Sequence, residues 1–185
     1  MKILVSGATG LIGSALIRAA GPAGHTTVPL VRKQGSPESI QWNPEEGTLN
    51  VADLEGVDAV VHLAGESIAS GRWTAAKKSR ILDSRVKGTQ LLASALGRMK
   101  RRPSVLISSS AIGYYGDCGD RLLGEDSPSG SDFLAEVCRE WESATTAASN
   151  AGIRVIHLRT GIVLAKTGGA LPKMALPFKF GVGGR

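Results

Sequence analysis

The chain has 185 residues, 42% hydrophobic and 21% charged, with a formal net charge of +6, which fits one ordinary globular domain and excludes a disordered composition. No apolar run approaches the roughly 18 residues of a membrane span, and the start MKILVSG lacks the basic, apolar and small-residue succession of a secretory signal, so a cytoplasmic protein without a membrane partner is expected. Two cysteines, Cys118 and Cys138, match no zinc spacing and suggest reduced thiols, and no metal site is expected.

The predicted elements alternate along the chain. Lys2–Val5 reads as a short strand and Leu11–Ala20 as a helix. Thr26–Val31 is β-branched and strand-like, with Pro29 best placed near an edge or a strand start. Ile40–Trp42 and Thr48–Val51, joined by NPEEG, suggest a hairpin in which Trp42 packs. Val57–Gly65 is a continuous apolar run ending in small residues, as in a strand buried on both faces of a parallel sheet. Arg72–Met99 carries a long helical pattern, in one piece or two, with Val86, Gln90, Leu91, Ala95 and Leu96 in phase. SVLISSS, residues 104–110, is the next strand. Asp132–Ser149 is a helix with an apolar stripe through Phe133, Leu134, Val137, Cys138 and Trp141, and Ile153–Arg159 is a further strand. This order predicts an α/β fold with a doubly wound parallel sheet. The basic cluster Arg98–Pro103 follows the long helix and reads as a solvated helix end rather than a nucleic-acid patch, since no aromatic platform accompanies it. His62 and His157 lie within apolar strand runs and read as hydrogen-bonded core residues.

GATGLIG sets Gly7, Gly10 and Gly13 between the first strand and the first helix. Gly7 permits the tight turn, Gly10 lets the backbone approach a pyrophosphate, and Gly13 allows close helix–sheet packing. The candidate cradle for a dinucleotide is therefore Gly7, Thr9, Gly10, Leu11, Ile12 and Gly13, with the helix N-terminus as its anion site. About 20 residues on, where an acid would accept from a ribose 2′-OH, the chain reads Val31-Arg32-Lys33. A cation there suits a 2′-phosphate, so NADP(H) is preferred over NAD(H); ordinary solvated charge is the alternative.

SGATGLIGSAL, VVHLAGESI, SRVKGTQLL, LISSSAIGYYG and LRTGIVLAKTGGAL, in this order, resemble the extended short-chain dehydrogenase/reductases, the group of NAD-dependent epimerase/dehydratases, and in particular an atypical "epimerase family" branch. The resemblance covers nearly the whole chain. It implies an NAD(P)-binding Rossmann fold in which Leu63, Ala64 and Gly65 lie along the cofactor and Thr160, Gly161 and Ile162 border the nicotinamide. It also places Arg85 where the usual NVxGT pattern has asparagine. An arginine there can reach cofactor phosphates or a substrate anion, with Arg80 as a weaker companion.

In typical members a tyrosine and a lysine four residues later carry the proton chemistry, and a serine binds the substrate oxygen. Ser110 matches that serine. The pair is absent: one alignment puts Leu134 and Cys138 in its places, another Phe133 and Val137, and none of these exchanges a proton as tyrosine does. Tyr114 or Tyr115, after Ser110, can supply an alternative acid, and Glu66 a base; Ser110 and Tyr114 are the catalytic candidates. The resemblance divides the chain into a Rossmann domain, residues 1–166, and the start of a C-terminal substrate-binding region, residues 167–185, most of that lobe being absent. The tail suggests an amphipathic helix that packs on the lobe or forms a homodimer surface. Two function classes follow: an NADP(H)-dependent epimerase or oxidoreductase, of the nucleoside-diphosphate-sugar type, acting on a small molecule of unknown identity, or a non-catalytic dinucleotide-binding sensor.

Overall fold

A computed structural model describes residues 1–33 and 35–184, so Arg185, the end of the expected C-terminal region, lies outside the described residues. Seven strands, β1 (Lys2–Ser6), β2 (Thr26–Val31), β3 (Ile40–Asn43), β4 (Thr48–Leu49), β5 (Ala59–His62), β6 (Val105–Ala111) and β7 (Arg154–Thr160), form one sheet in the order β4-β3-β2-β1-β5-β6-β7. All pairings are parallel except β3 with β4. Helices α1 (Leu11–Ala20), α2 (Ala75–Gly97), α3 (Phe133–Ser143) and α4 (Thr146–Asn150) connect them. A small antiparallel hairpin, β8 (Leu164–Ala165) with β9 (Gly168–Gly169), spans residue 166 and precedes the last helix, α5 (Leu171–Lys179).

Alternation along the strands builds two cores. Leu4, Val60 and Leu106 join Leu92, Leu96 and Ala148 beneath α2 and α4, whereas Ile3, Val5, Ala59 and Val61 meet Leu16 and Ile17 of α1. Burial on both faces is what the unbroken apolar run in β5 requires. The order reverses between β1 and β5, where successive crossovers go to opposite sides. That reversal opens a crevice at the carboxyl ends of β1, β5 and β6, the usual binding place in such sheets.

Several elements differ from expectation for local reasons. β2 is interior in the sheet order, yet it pairs with β3 only through Leu30 and Val31, so Pro29 needs no bond on that side. The second arm of the hairpin stops at Leu49, and Asn50 then caps a 3₁₀ turn, Val51–Leu54, by accepting from the Ala52 N–H. β5 is shorter than the apolar run that contains it. Helix α2 is one continuous piece, started by Thr74, whose hydroxyl accepts from the Lys77 N–H. The expected helix Asp132–Ser149 breaks after Ser143. The Thr145 hydroxyl donates to the Glu142 carbonyl at 2.7 Å, and the Thr145 N–H to the same carbonyl at 3.2 Å, which tightens the turn. Trp42 is buried and meets His62 edge-on at 5.9 Å.

The basic cluster after α2 is tied into the fold. Arg102 donates to the carbonyls of Gly97 and Ala151, Arg101 lies 3.8 Å from Asp58, and the Lys100 and Arg101 N–H groups donate to Glu55. No described helix is long and apolar enough to cross a membrane.

Candidate functional site

The glycine loop is shaped by contacts that a side chain would break. Gly7 has φ +68°, and a Cβ there would come within 2.8 Å of the Leu63 carbonyl carbon. A Cβ on Gly13 would collide with the Gly7 carbonyl oxygen. Gly10 is different: it is exposed, and its Cβ would meet nothing nearby except that same carbonyl. No side chain caps α1 and no acid lies in its first turn, so the positive end of the helix faces the crevice beside Thr9 and Ile12. Leu11 turns toward the hairpin, within 3.1 Å of where a Gly169 Cβ would stand.

Ser6 joins β1 to the end of β5. Its hydroxyl accepts from the N–H groups of Leu63 (3.0 Å) and Ala64 (3.2 Å) and lies 2.6 Å from His62 Nδ1, while His62 Nε2 lies 3.0 Å from Thr89 Oγ1. A hydroxyl that already accepts twice gives its own proton to Nδ1, which leaves His62 neutral with its proton on Nε2. Complete burial agrees, lowering the His62 pKa to about 4. His62 is thus a core histidine that sets the loop Leu63–Gly65 beside Gly7.

Val31 and Arg32 lie at the far end of the crevice, where β2 stops, with Arg32 exposed. Glu66 is held by Lys77 at 2.7 Å and Arg80 at 3.5 Å, and the Lys77 hydrogen bond pulls its pKa below the usual carboxylate range. Arg80 is therefore engaged with Glu66, and Glu66 is a weak base.

At the other end, register brings Ser110 of β6 beside Arg159 of β7, and α3 lays Glu142 over both. The Ser110 hydroxyl donates to Glu142 Oε1 at 2.6 Å; Arg159 grips the same carboxylate through Nε (2.9 Å) and Nη2 (3.0 Å). Arg159 Nη1 also donates to the Tyr115 hydroxyl at 2.9 Å and the Glu125 carbonyl at 2.7 Å, and the guanidinium stacks 3.6 Å from the centre of the Tyr114 ring. Burial would raise the Glu142 pKa, but the hydrogen bonds from Arg159 and Ser110 more than offset it and hold the carboxylate ionised. His157 is 3.9 Å from Glu142, but burial lowers its pKa, so at neutral pH this is a contact with a neutral ring.

The helix that lacks tyrosine and lysine fills their places in two ways. Val137 and Cys138 are buried; burial raises the Cys138 thiol pKa, which makes it inert. Leu134 packs under Gly113, and Phe133, half-buried rather than in the core, meets the edge of Trp73 at 5.9 Å with Lys78 above it. Both alternatives for the missing pair are thus apolar in space as in sequence. Thr160 is half-buried and Gly161 and Ile162 are exposed just beyond Arg159. Glu142 and Arg159 were not singled out as functional from the sequence. Their signal is a charged residue at the end of an apolar strand and an acid on an apolar helix stripe, which becomes meaningful only once β6, β7 and α3 meet.

Residues 3–175 match the model of the NAD dependent epimerase/dehydratase family. The chain belongs to that family. Among its relatives, the epimerase family protein Mb2239 of Mycobacterium bovis is 42% identical over 184 residues, 99% of this chain and 60% of the relative. The structure of human epimerase family protein SDR39U1, determined with NADPH, superposes with a TM-score of 0.88 at 35% identity, covering all of this chain and 61% of that one. A structure described as a nucleoside-diphosphate sugar epimerase from Corynebacterium glutamicum superposes with a TM-score of 0.85 at 40% identity, covering 97% of this chain and 38% of that one. The chain therefore spans about 60% of the length of the curated relatives it matches. Its Rossmann fold is that of the epimerase/dehydratase family, whose dinucleotide lies along such a crevice.

Proposed function

We propose that this chain is an NADP(H)-binding atypical short-chain dehydrogenase/reductase, working as an epimerase of the nucleoside-diphosphate-sugar type or as an oxidoreductase on a small molecule. The observation that carries the proposal is the cradle: Gly10 is bare at an uncapped helix start, Gly7 lies against Leu63 and Ala64, and Arg32 follows the end of β2. Gly7, Thr9, Gly10, Ile12 and Gly13 would hold the pyrophosphate, Val31 and Arg32 the adenosine 2′-phosphate, and Thr160, Gly161 and Ile162 the far end. A relative's structure with NADPH is consistent with this reading.

When bound, the cofactor would supply hydride exchange at its nicotinamide end. Ser110 spends its only proton on Glu142, so toward the crevice it offers an acceptor and favours a substrate hydroxyl. Tyr114, whose hydroxyl has no partner among the described residues, is the proton donor, and Arg159 fixes its ring. The test is titration of NADPH and NADH against the parent and Arg32→Asp. The parent should prefer NADPH by about tenfold or more, and the variant should lose that preference, as removal of one charge-assisted contact implies. Equal affinities in the parent would sink the NADP assignment.

A second reading, a non-catalytic dinucleotide sensor, is favoured by one observation: the side chains at the tyrosine and lysine positions are apolar or inert. Tight NADPH binding with no hydride transfer to any carbonyl or nucleotide sugar would decide for it.

A further inference from the structure

Arg85 is a half-buried cation that no acid contacts directly, Glu66 acting on it only from a distance. Its Cζ would lie 3.3 Å from a Cβ on Gly65 and is 4.9 Å from the centre of the Trp141 ring, so the guanidinium sits between a backbone and an indole. Nη1 donates to the carbonyls of Glu66 (3.1 Å) and Ile81 (3.0 Å), which fixes the group's rotation. Among the described residues, no carboxylate oxygen comes within 4.0 Å of it, and Nε and Nη2 have no acceptor. Burial correspondingly pulls its pKa down. Beside it, Trp141 is 6% exposed and its Nε1 is buried without a partner. Buried donors left unpaired are costly, and two of them on neighbouring side chains mark a place where a ligand brings acceptors.

The location narrows the ligand. Along the crevice the order is the glycine loop, then Leu63–Gly65 with Arg85 against it, then Ser110. The facing turn of α3 presents Cys138, a thiol kept neutral by burial, one turn before Trp141. In a dinucleotide, the group between the pyrophosphate and the nicotinamide is a ribose, whose vicinal hydroxyl oxygens accept hydrogen bonds. We propose that Arg85, with the Trp141 indole N–H, holds the hydroxyls of the nicotinamide-side ribose. The facing side chain of α3, Cys138, is a neutral thiol, so the charged donor at this place comes from α2. This assignment rests on the cofactor reading above and makes Arg85 a cofactor-positioning residue rather than a phosphate or substrate-anion contact.

Calorimetric titration with three ligands tests it: NADPH, 2′-phospho-ADP-ribose, which keeps that ribose but lacks the ring, and 2′-phospho-ADP, which ends at the pyrophosphate. Arg85→Gln should weaken the first two by about tenfold or more, the scale of a hydrogen bond to a charged group, and leave 2′-phospho-ADP unchanged, which also reports an intact fold. Trp141→Phe keeps the ring under Arg85, removes only the N–H, and should show the same selectivity on a smaller scale; it decides the matter if Arg85→Gln fails to fold. An equal loss for all three ligands in a folded variant would place Arg85 on the pyrophosphate and overturn the proposal, and so would no loss for any. A parent that binds none of the three would instead overturn the cofactor reading, and this inference with it.

Discussion

Arg159 shows how one side chain can organise a site. It pairs with Glu142, stacks on Tyr114, bonds Tyr115 and reaches the Glu125 carbonyl, so a strand, a helix and a loop share one charge. Arg159→Met should leave a largely buried carboxylate without its partner and cost about 3 kcal/mol, the lower end for breaking a buried pair because this one is partly solvated. Urea unfolding measures the loss, and the double variant with Glu142→Leu should recover part of it. A second residue-scale prediction concerns His62. Its folded pKa, about 4, lies below the unfolded value near 6.5, so the unfolded chain binds more protons between those limits. Stability is then full above about pH 6.5 and falls by about 3 kcal/mol as pH drops toward 4. Unfolding free energies at several pH values should show this slope, and His62→Asn should reduce it to the smaller contribution of His157, whose pKa burial also lowers. A flat profile in the parent across that window would contradict the neutral, buried assignment.

At the scale of elements, α3 shows what the sequence could disclose. Its apolar stripe, its start to within one residue and its lack of tyrosine and lysine were readable, because they depend on residue type and local spacing. Its end was not, since the break after Ser143 comes from a Thr145 hydroxyl turned onto Glu142 and toward His157, a residue of another strand. The same division holds for the site. The glycine loop was legible as a local motif, whereas Glu142 and Arg159 become partners only through the β6–β7 register. Asp132 gives the element its own test: its carboxylate accepts from the Ala135 N–H at 2.8 Å as an N-cap. Asp132→Ala should cost about 1 kcal/mol of stability, read by thermal unfolding. Its effect should reach Ser110, because α3 carries Glu142.

Over the whole molecule, burial is uneven. β1 and β5 are enclosed on both faces, but the α1 face thins toward β6 and β7, where Ile107 and Ile156 are half-buried and Leu158 is 43% exposed. The hairpin β8–β9 and α5 continue this gradient. Met174, Phe178 and Phe180 of the last helix and its cap are 55%, 64% and 74% exposed, and Pro177 removes an internal hydrogen-bond donor. A helix of nine residues gains little from propensity alone, so its persistence depends on packing that it scarcely has. Local opening free energies should therefore rise from α5 through β7 to β5 and β1. Amide hydrogen exchange measures that order directly: α5 should exchange near the rate of an unstructured peptide while Leu4 and Val60 approach the global limit. NADPH should then slow exchange around Gly10 and Leu63–Gly65 far more than in α5, because a ligand protects the segments it closes. Protection of α5 comparable to that of β5 in the free protein would show that the tail is stabilised by contacts beyond those of the single chain.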